Sequence, residues 1–194
     1  MRSVACGTSH AVCLTTTGRV MSWGSGKDGQ LGQAAHVRRS NAPGPVLLED
    51  FTMYKVSQVV CGADHTLVST SDGVVYAWGM NDFGQLGVGD RENRIQPEEV
   101  VRLRGCNTAH ISAGGTHSAA LSADGTGVYT WGDAIHGKLG HGDELVRLFP
   151  SRLDLFPHQP FTPSYPFLLF LVLPLLLHFH PHFPFLFLPH GNSR

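Results

Sequence analysis

The sequence predicts an all-β chain, a partial β-propeller of about three four-stranded blades followed by a low-complexity apolar tail rich in Pro, Phe, Leu and His. Three observations carry this expectation. A set of motifs returns with a period of roughly 50 residues, which marks propellers and arrays. Each return holds two short apolar runs around a turn signal. Composition then breaks near residue 155: all 15 Asp and Glu of the 194 residues lie at or before Asp154, and no Asp, Glu, Lys or Arg occurs from Leu155 to Ser193.

The repeat has three anchors in fixed order. Cys6-Gly7-Thr8-Ser9-His10 returns as Cys61-Gly62-Ala63-Asp64-His65 and as Ala113-Gly114-Gly115-Thr116-His117. Sixteen residues after Gly7 and Gly62, and seventeen after Gly114, come Trp23-Gly24, Trp78-Gly79 and Trp131-Gly132. Eight residues beyond each Trp stand Leu31-Gly32, Leu86-Gly87 and Leu139-Gly140. These bounds give repeats over 1–54, 55–109 and 110–154, with the tail over 155–194.

Within each repeat the intervals read as antiparallel strands. Ala11 to Leu14 and Val20 to Trp23 flank Thr15-Thr16-Thr17-Gly18, and the later copies turn at Ser71-Asp72-Gly73 and Ala123-Asp124-Gly125. Glycine at such a turn supplies the positive φ of a tight hairpin. A weaker strand opens at each of Pro45, Pro97 and Pro150, and proline at a strand's start suits a sheet edge, where its missing N–H costs no ladder bond. The run before the next Cys-Gly anchor completes four strands per period. Each Trp is expected to fill the space between blades, worth about 2 to 3 kcal/mol by transfer; the Gly after it frees the backbone to turn, and the Leu plugs the core.

The Cys-Gly-x-x-His, Trp-Gly and Gly-Gln-Leu-Gly pattern, over roughly residues 3 to 154, resembles the regulator of chromosome condensation repeat. Members of that family close about seven blades into a ring. The resemblance implies a propeller used for docking. The founding member exchanges nucleotide on the small GTPase Ran, and relatives include ubiquitin ligase adaptors, lipid-linked signalling proteins and a plant ultraviolet photoreceptor. The reading is a protein interaction scaffold, a fragment of a larger regulatory protein; the alternative is a guanine nucleotide exchange factor for a Ran-like small GTPase. Ultraviolet sensing would need Trp beyond the blade positions, and all three Trp are spent on the Trp-Gly anchors.

Several motifs imitate chemistry and are explained by the repeat. Gly24-Ser25-Gly26-Lys27-Asp28-Gly29 satisfies a dinucleotide fingerprint, but its counterparts Gly79 to Gly84 and Gly132 to Gly137 lack the middle Gly, and no amphipathic helix follows to cradle a phosphate. Gly132 to Lys138 approaches a phosphate loop, yet Leu139 stands where a hydroxyl is needed. His10, His65 and His117, one per blade, are expected to stand too far apart for a shared zinc; each imidazole is expected to bond a neighbouring loop carbonyl. The four Cys form no C-x-x-C pair and read as free thiols. No catalytic residue, metal or cofactor is implied, and the chain reads as no enzyme.

Arg91, Arg94, Arg102 and Arg104, interleaved with Asp90, Glu92, Glu98 and Glu99, form the most charged stretch. The plain reading is a solvated outer strand and loop, the sharper one a contact for a protein partner, since function concentrates in loops. A formal charge of -1 and the absence of a basic stripe speak against nucleic acid. Residues 1–10 lack the pattern of a signal peptide, which suggests an intracellular protein, cytoplasmic or nuclear, and not a secreted one. The apolar run Phe167 to Leu177 contains Pro174 and falls short of the ~20 residues a membrane span needs. The tail therefore reads as disordered or as foreign to the repeat, and three blades alone would leave strand edges unpaired.

Overall fold

The computed structural model describes residues 1–33 and 41–153. They form three four-stranded antiparallel sheets, each with its strands in chain order. Blade 1 holds β1 (Ser3–Cys6), β2 (His10–Leu14), β3 (Val20–Ser25) and β4 (Asn41–Leu47); blade 2 holds β5 (Val56–Cys61), β6 (His65–Thr70), β7 (Val75–Gly79) and β8 (Arg94–Glu99). Blade 3 holds β9 (Thr108–Ala113), β10 (His117–Ser122), β11 (Val128–Gly132) and β12 (Arg147–Arg152). The third sheet thus begins at Thr108, two residues ahead of His110, where the sequence placed the repeat boundary.

Register is the same in all three blades. His10 lies opposite Gly24, His65 opposite Gly79 and His117 opposite Gly132. One residue on, Ala11 faces Trp23, Thr66 faces Trp78 and Ser118 faces Trp131. Strands β2, β6 and β10 are buried along their whole length, because a blade's second strand is covered on both faces; that is why they read as apolar runs rather than as alternating ones.

The outer strands correct one expectation. Pro45, Pro97 and Pro150 lie inside β4, β8 and β12 and do not open them. Pairing to the third strand shifts register around Trp78 and Trp131's neighbours, between Ala77 and Gly79 and between Thr130 and Gly132. On an edge strand the imide nitrogen faces solvent, so proline is tolerated in mid-strand as well.

The core lies between the blades. Val12, Leu14, Val20, Leu48 and Phe51 of blade 1 pack against Val56, Val59, Val68 and Trp78 of blade 2. Leu67, Val75, Ala77, Leu86, Val100 and Leu103 of blade 2 pack against Ile111, Ala120 and Trp131 of blade 3. The third cluster, Leu121, Val128 and Leu153, belongs to blade 3 alone.

Candidate functional site

The recurring anchors converge at each seam on one backbone oxygen. The indole N–H of Trp78 donates to the Gln30 carbonyl at 2.9 Å, and the Thr66 hydroxyl donates to the same oxygen at 3.0 Å. At the next seam the Trp131 indole and the Ser118 hydroxyl donate to the Gln85 carbonyl at 2.9 and 2.8 Å. Cross-strand pairing of Thr66 with Trp78 and of Ser118 with Trp131 brings each hydroxyl beside its indole.

The histidines complete the seam in a way the sequence did not suggest. His10 Nε2 meets Thr66 Oγ1 at 2.9 Å, and His65 Nε2 meets Ser118 Oγ at 3.0 Å. The partner is a hydroxyl of the following blade, not a loop carbonyl as expected. Each hydroxyl has one proton and gives it to the carbonyl, so the imidazole must donate from Nε2–H. The other nitrogens, His10 Nδ1 and His65 Nδ1, are buried with no hydrogen-bond partner among the described residues. Charging either ring would place a proton there, and burial accordingly pushes His10 down despite Asp64, and His65 down to about 3 with help from His10 and His117.

This packing also explains the first Gly of each anchor. A Cβ on Gly7, Gly62 or Gly114 would stand 2.3, 2.0 or 2.1 Å from Cε1 of His10, His65 or His117. Gly24, Gly79 and Gly132 instead hold φ of +101°, +105° and +100°, the left-handed turn after each Trp. Leu31, Leu86 and Leu139 are all buried. All four Cys are free thiols. Among the described residues no group of three potential ligands stands close enough to hold a metal ion, and no helix is long and apolar enough to cross a membrane.

The four arginines do not form one cluster. Arg94, at the start of β8, pairs with Asp90 at 2.6 Å and with Glu98. Arg104, beyond the far end of that strand, pairs with Glu99. Arg102 lies over the Phe149 ring of blade 3, 4.9 Å from its centre, and Arg91 is exposed. The Asp90–Arg94 pair returns as Asp143–Arg147 at 2.8 Å. Each carboxylate also caps the loop, accepting from the N–H of Glu92 or Leu145. The arginine bonds hold Asp90 and Asp143 below the ordinary carboxylate range. An Asp three residues after Gly87 and Gly140, with Arg four further on, was a readable signal of this staple.

Blade 3 departs from its neighbours in the loop between β11 and β12. Gln30 and Gln85 tie their loops by accepting from the N–H of Asp28 and Phe83; Lys138 replaces them and pairs with Asp133. Burial pushes Asp133 up, but bonds from Lys138, the Ile135 N–H and Thr116 hold it below its usual value. His136 takes a left-handed φ of 64°, uncommon for a side chain of its size, while its N–H bonds Glu144 at 3.1 Å. The clamped loop displays Ile135 and Leu145 at 49% and 65% exposure. Their counterparts are the charged Asp82 and Glu92 of blade 2. Sequence reasoning passed over both residues because neither repeats.

Comparison with known proteins agrees with this architecture. Two models of the regulator of chromosome condensation (RCC1) repeat match, one at residues 17–69, 72–121 and 126–163, the other at 1–30, 56–85 and 109–137. The chain is similar to the ultraviolet-B receptor UVR8 of Arabidopsis thaliana, 36% identical over 79% of this chain and 34% of that protein. It is also similar to the human E3 ubiquitin-protein ligase HERC2, 37% identical over 78% of this chain and 3% of that protein. Among solved structures, human WBSCR16 superposes with a TM-score of 0.68 at 30% identity, over 77% of this chain and 38% of that one. Prp20p of Saccharomyces cerevisiae, described with its binding to Gsp1p and histones, superposes with a TM-score of 0.64 at 25% identity, over 79% and 39%. The chain thus spans about a third of UVR8 and a small part of HERC2. With three copies of the repeat matched and the seam anchors recurring in each blade, the chain belongs to the RCC1 repeat family of β-propellers.

Proposed function

We propose that the chain is a protein-docking module whose partner contacts lie on the loops that follow the Trp-Gly anchors. The observation that carries this is the blade 3 loop: Ile135 and Leu145 stand exposed on a backbone fixed by Asp133, Lys138, Glu144 and Arg147, with a left-handed residue at its tip. Backbone strain that the surroundings overdetermine is a mark of functional loops, and rigid apolar anchors lose little entropy on binding. Arg91 on blade 2 and Arg102 stacked on Phe149 add exposed cationic groups. A relative described with binding to Gsp1p and histones supports a protein partner in general.

The test compares affinity capture by the wild-type chain and by an Ile135→Asp/Leu145→Asp variant, with circular dichroism melting to verify the fold. Loss of specific partners by the folded variant is expected, and an unchanged partner set would overturn the loop assignment. Nucleotide exchange on a Ran-like GTPase is the finer alternative; release of labelled GDP from a purified Ran-type GTPase on adding the chain would favour it over plain docking.

A further inference from the structure

The outer rims of the two internal seams are built alike and finished differently. A short helical turn follows the fourth strand of each of the first two blades, at Glu49–Phe51 and Val101–Leu103, and seats Phe51 and Leu103 in the core. Beside the buried residue the first turn displays Glu49 and Asp50, the second Val101 and Arg102. The third residue of the next blade's fourth strand is Gln96 at one rim and Phe149 at the other. One rim is therefore acidic and polar, the other apolar and cationic. All six residues are exposed. Gln96 is so although its blade packs against a neighbour on each side, so the openness of this position belongs to the repeat.

The second rim is fixed from beneath. The Phe149 ring lies against Gly89, where any Cβ would collide with it, and the Gly89 N–H donates to the Leu148 carbonyl at 3.0 Å. On that ring rests the Arg102 guanidinium, 4.9 Å from its centre. Val101 and Phe149 add apolar surface at 54% and 40% exposure. In the same charged stretch Arg94 is taken by Asp90 and Glu98, and Arg104 by Glu99. Arg102 pairs with no carboxylate among the described residues. Stacking uses the face of a guanidinium and leaves the N–H groups at its edge open to an acceptor.

We propose that this rim binds an exposed segment of a partner protein in which an Asp or Glu stands beside an apolar residue. The carboxylate meets the edge of Arg102, and the apolar side chain covers Val101 and Phe149. Charge complementarity selects this occupant. Phosphate recognition draws on clusters of Arg, whereas here the neighbouring arginines are engaged and a single guanidinium matches a single carboxylate. The segment docks by its side chains and not as an added strand, because Pro150 removes a donor from the edge that β12 presents. Groups already held in place lose little entropy on binding. The contact is separate from the loop of Ile135 and Leu145 and does not rest on the docking proposed there.

Random dodecapeptides displayed on phage are first depleted on the Arg102→Asp chain and then selected on the full wild-type chain. Arg102→Asp and Phe149→Gln copy Asp50 and Gln96 of the other rim, residues the same fold accepts, so both variants should melt like the wild type. Enriched peptides are expected to carry Asp or Glu within two residues of an apolar side chain. Once synthesised, they should bind Arg102→Asp and Phe149→Gln roughly tenfold or more weakly in fluorescence polarisation, as loss of an anchor does. Arg102→Lys keeps the charge without the planar fork and should also weaken them, while Ile135→Asp should leave binding unchanged. Absence of enrichment, enriched peptides without the acidic and apolar pair, undiminished binding to Phe149→Gln or Arg102→Lys, or an equal loss in Ile135→Asp would overturn the proposal.

Discussion

The seam between blades 1 and 2 and the outer side of blade 3 are built from the same repeat and end differently. At the seam nine buried apolar residues from two blades meet, with Trp78 sealed among them; on the outer side the cluster among the described residues is Leu121, Val128 and Leu153, all from one blade. The strands themselves pair alike in each sheet. A blade's strand-ladder hydrogen bonds are therefore satisfied within it, while its apolar free energy and its anchor side-chain bonds are realised only against a neighbour, the condition of a repeat protein whose stability is a sum of unit and interface contributions.

The comparison breaks most visibly at the tryptophans. Trp78→Ala should cost about 3 to 5 kcal/mol, the usual penalty for truncating a buried large aromatic, and uncouple blade 1 from blade 2. Trp23→Ala should cost roughly 1 kcal/mol or less, since Trp23 belongs to no buried cluster among the described residues. Urea denaturation of both variants in dilute solution measures the difference; equal losses would refute the assignment of stability to seams.

Acid should act on the seams next. His65 is wholly buried with its ring held neutral, its pKa pushed down to about 3. The unfolded chain, with an ordinary histidine near 6.5, binds the proton that the fold refuses. Stability is thus fully present above about pH 6.5 and is lost as pH falls from there toward 3, by about 2 kcal/mol between pH 7 and pH 5 from this residue alone. His10 is shifted in the same direction. Melting curves at the two pH values should show the fall, and His65→Gln should flatten it.

The smallest of these effects sharpens the comparison within one seam. Thr66→Val preserves volume but removes both bonds of the hydroxyl, stranding the Nε2–H of His10, for about 1 to 2 kcal/mol. Thr66→Ser, which reproduces what Ser118 does at the next seam, should lose little in chemical denaturation.

Much of this was legible in the chain itself. The hairpins could be read from turn glycines between apolar runs, and the Trp, Leu and Gly anchors from their spacing, because these signals are local or periodic. The histidine partner was not, since Thr66 lies 56 residues from His10 and a contact across blades leaves no mark in either blade's own pattern. The arginines misled for a related reason. Grouped in one charged stretch of sequence, Arg94 and Arg104 are carried apart by β8, and each is engaged by its own carboxylate partners. Ile135 and Leu145 had no periodic signal at all, being apolar where blade 2 carries the charged Asp82 and Glu92.

The oxygen that receives each tryptophan belongs to the main chain. Glutamine supplies it at positions 30 and 85, and lysine stands at the matching position 138, with no change in the backbone group on offer. Recognition between neighbouring units is thereby uncoupled from the identity of the side chain at the point of contact. A gene that duplicates or shuffles such units inherits compatible joints at once, and the loops can diverge freely afterwards.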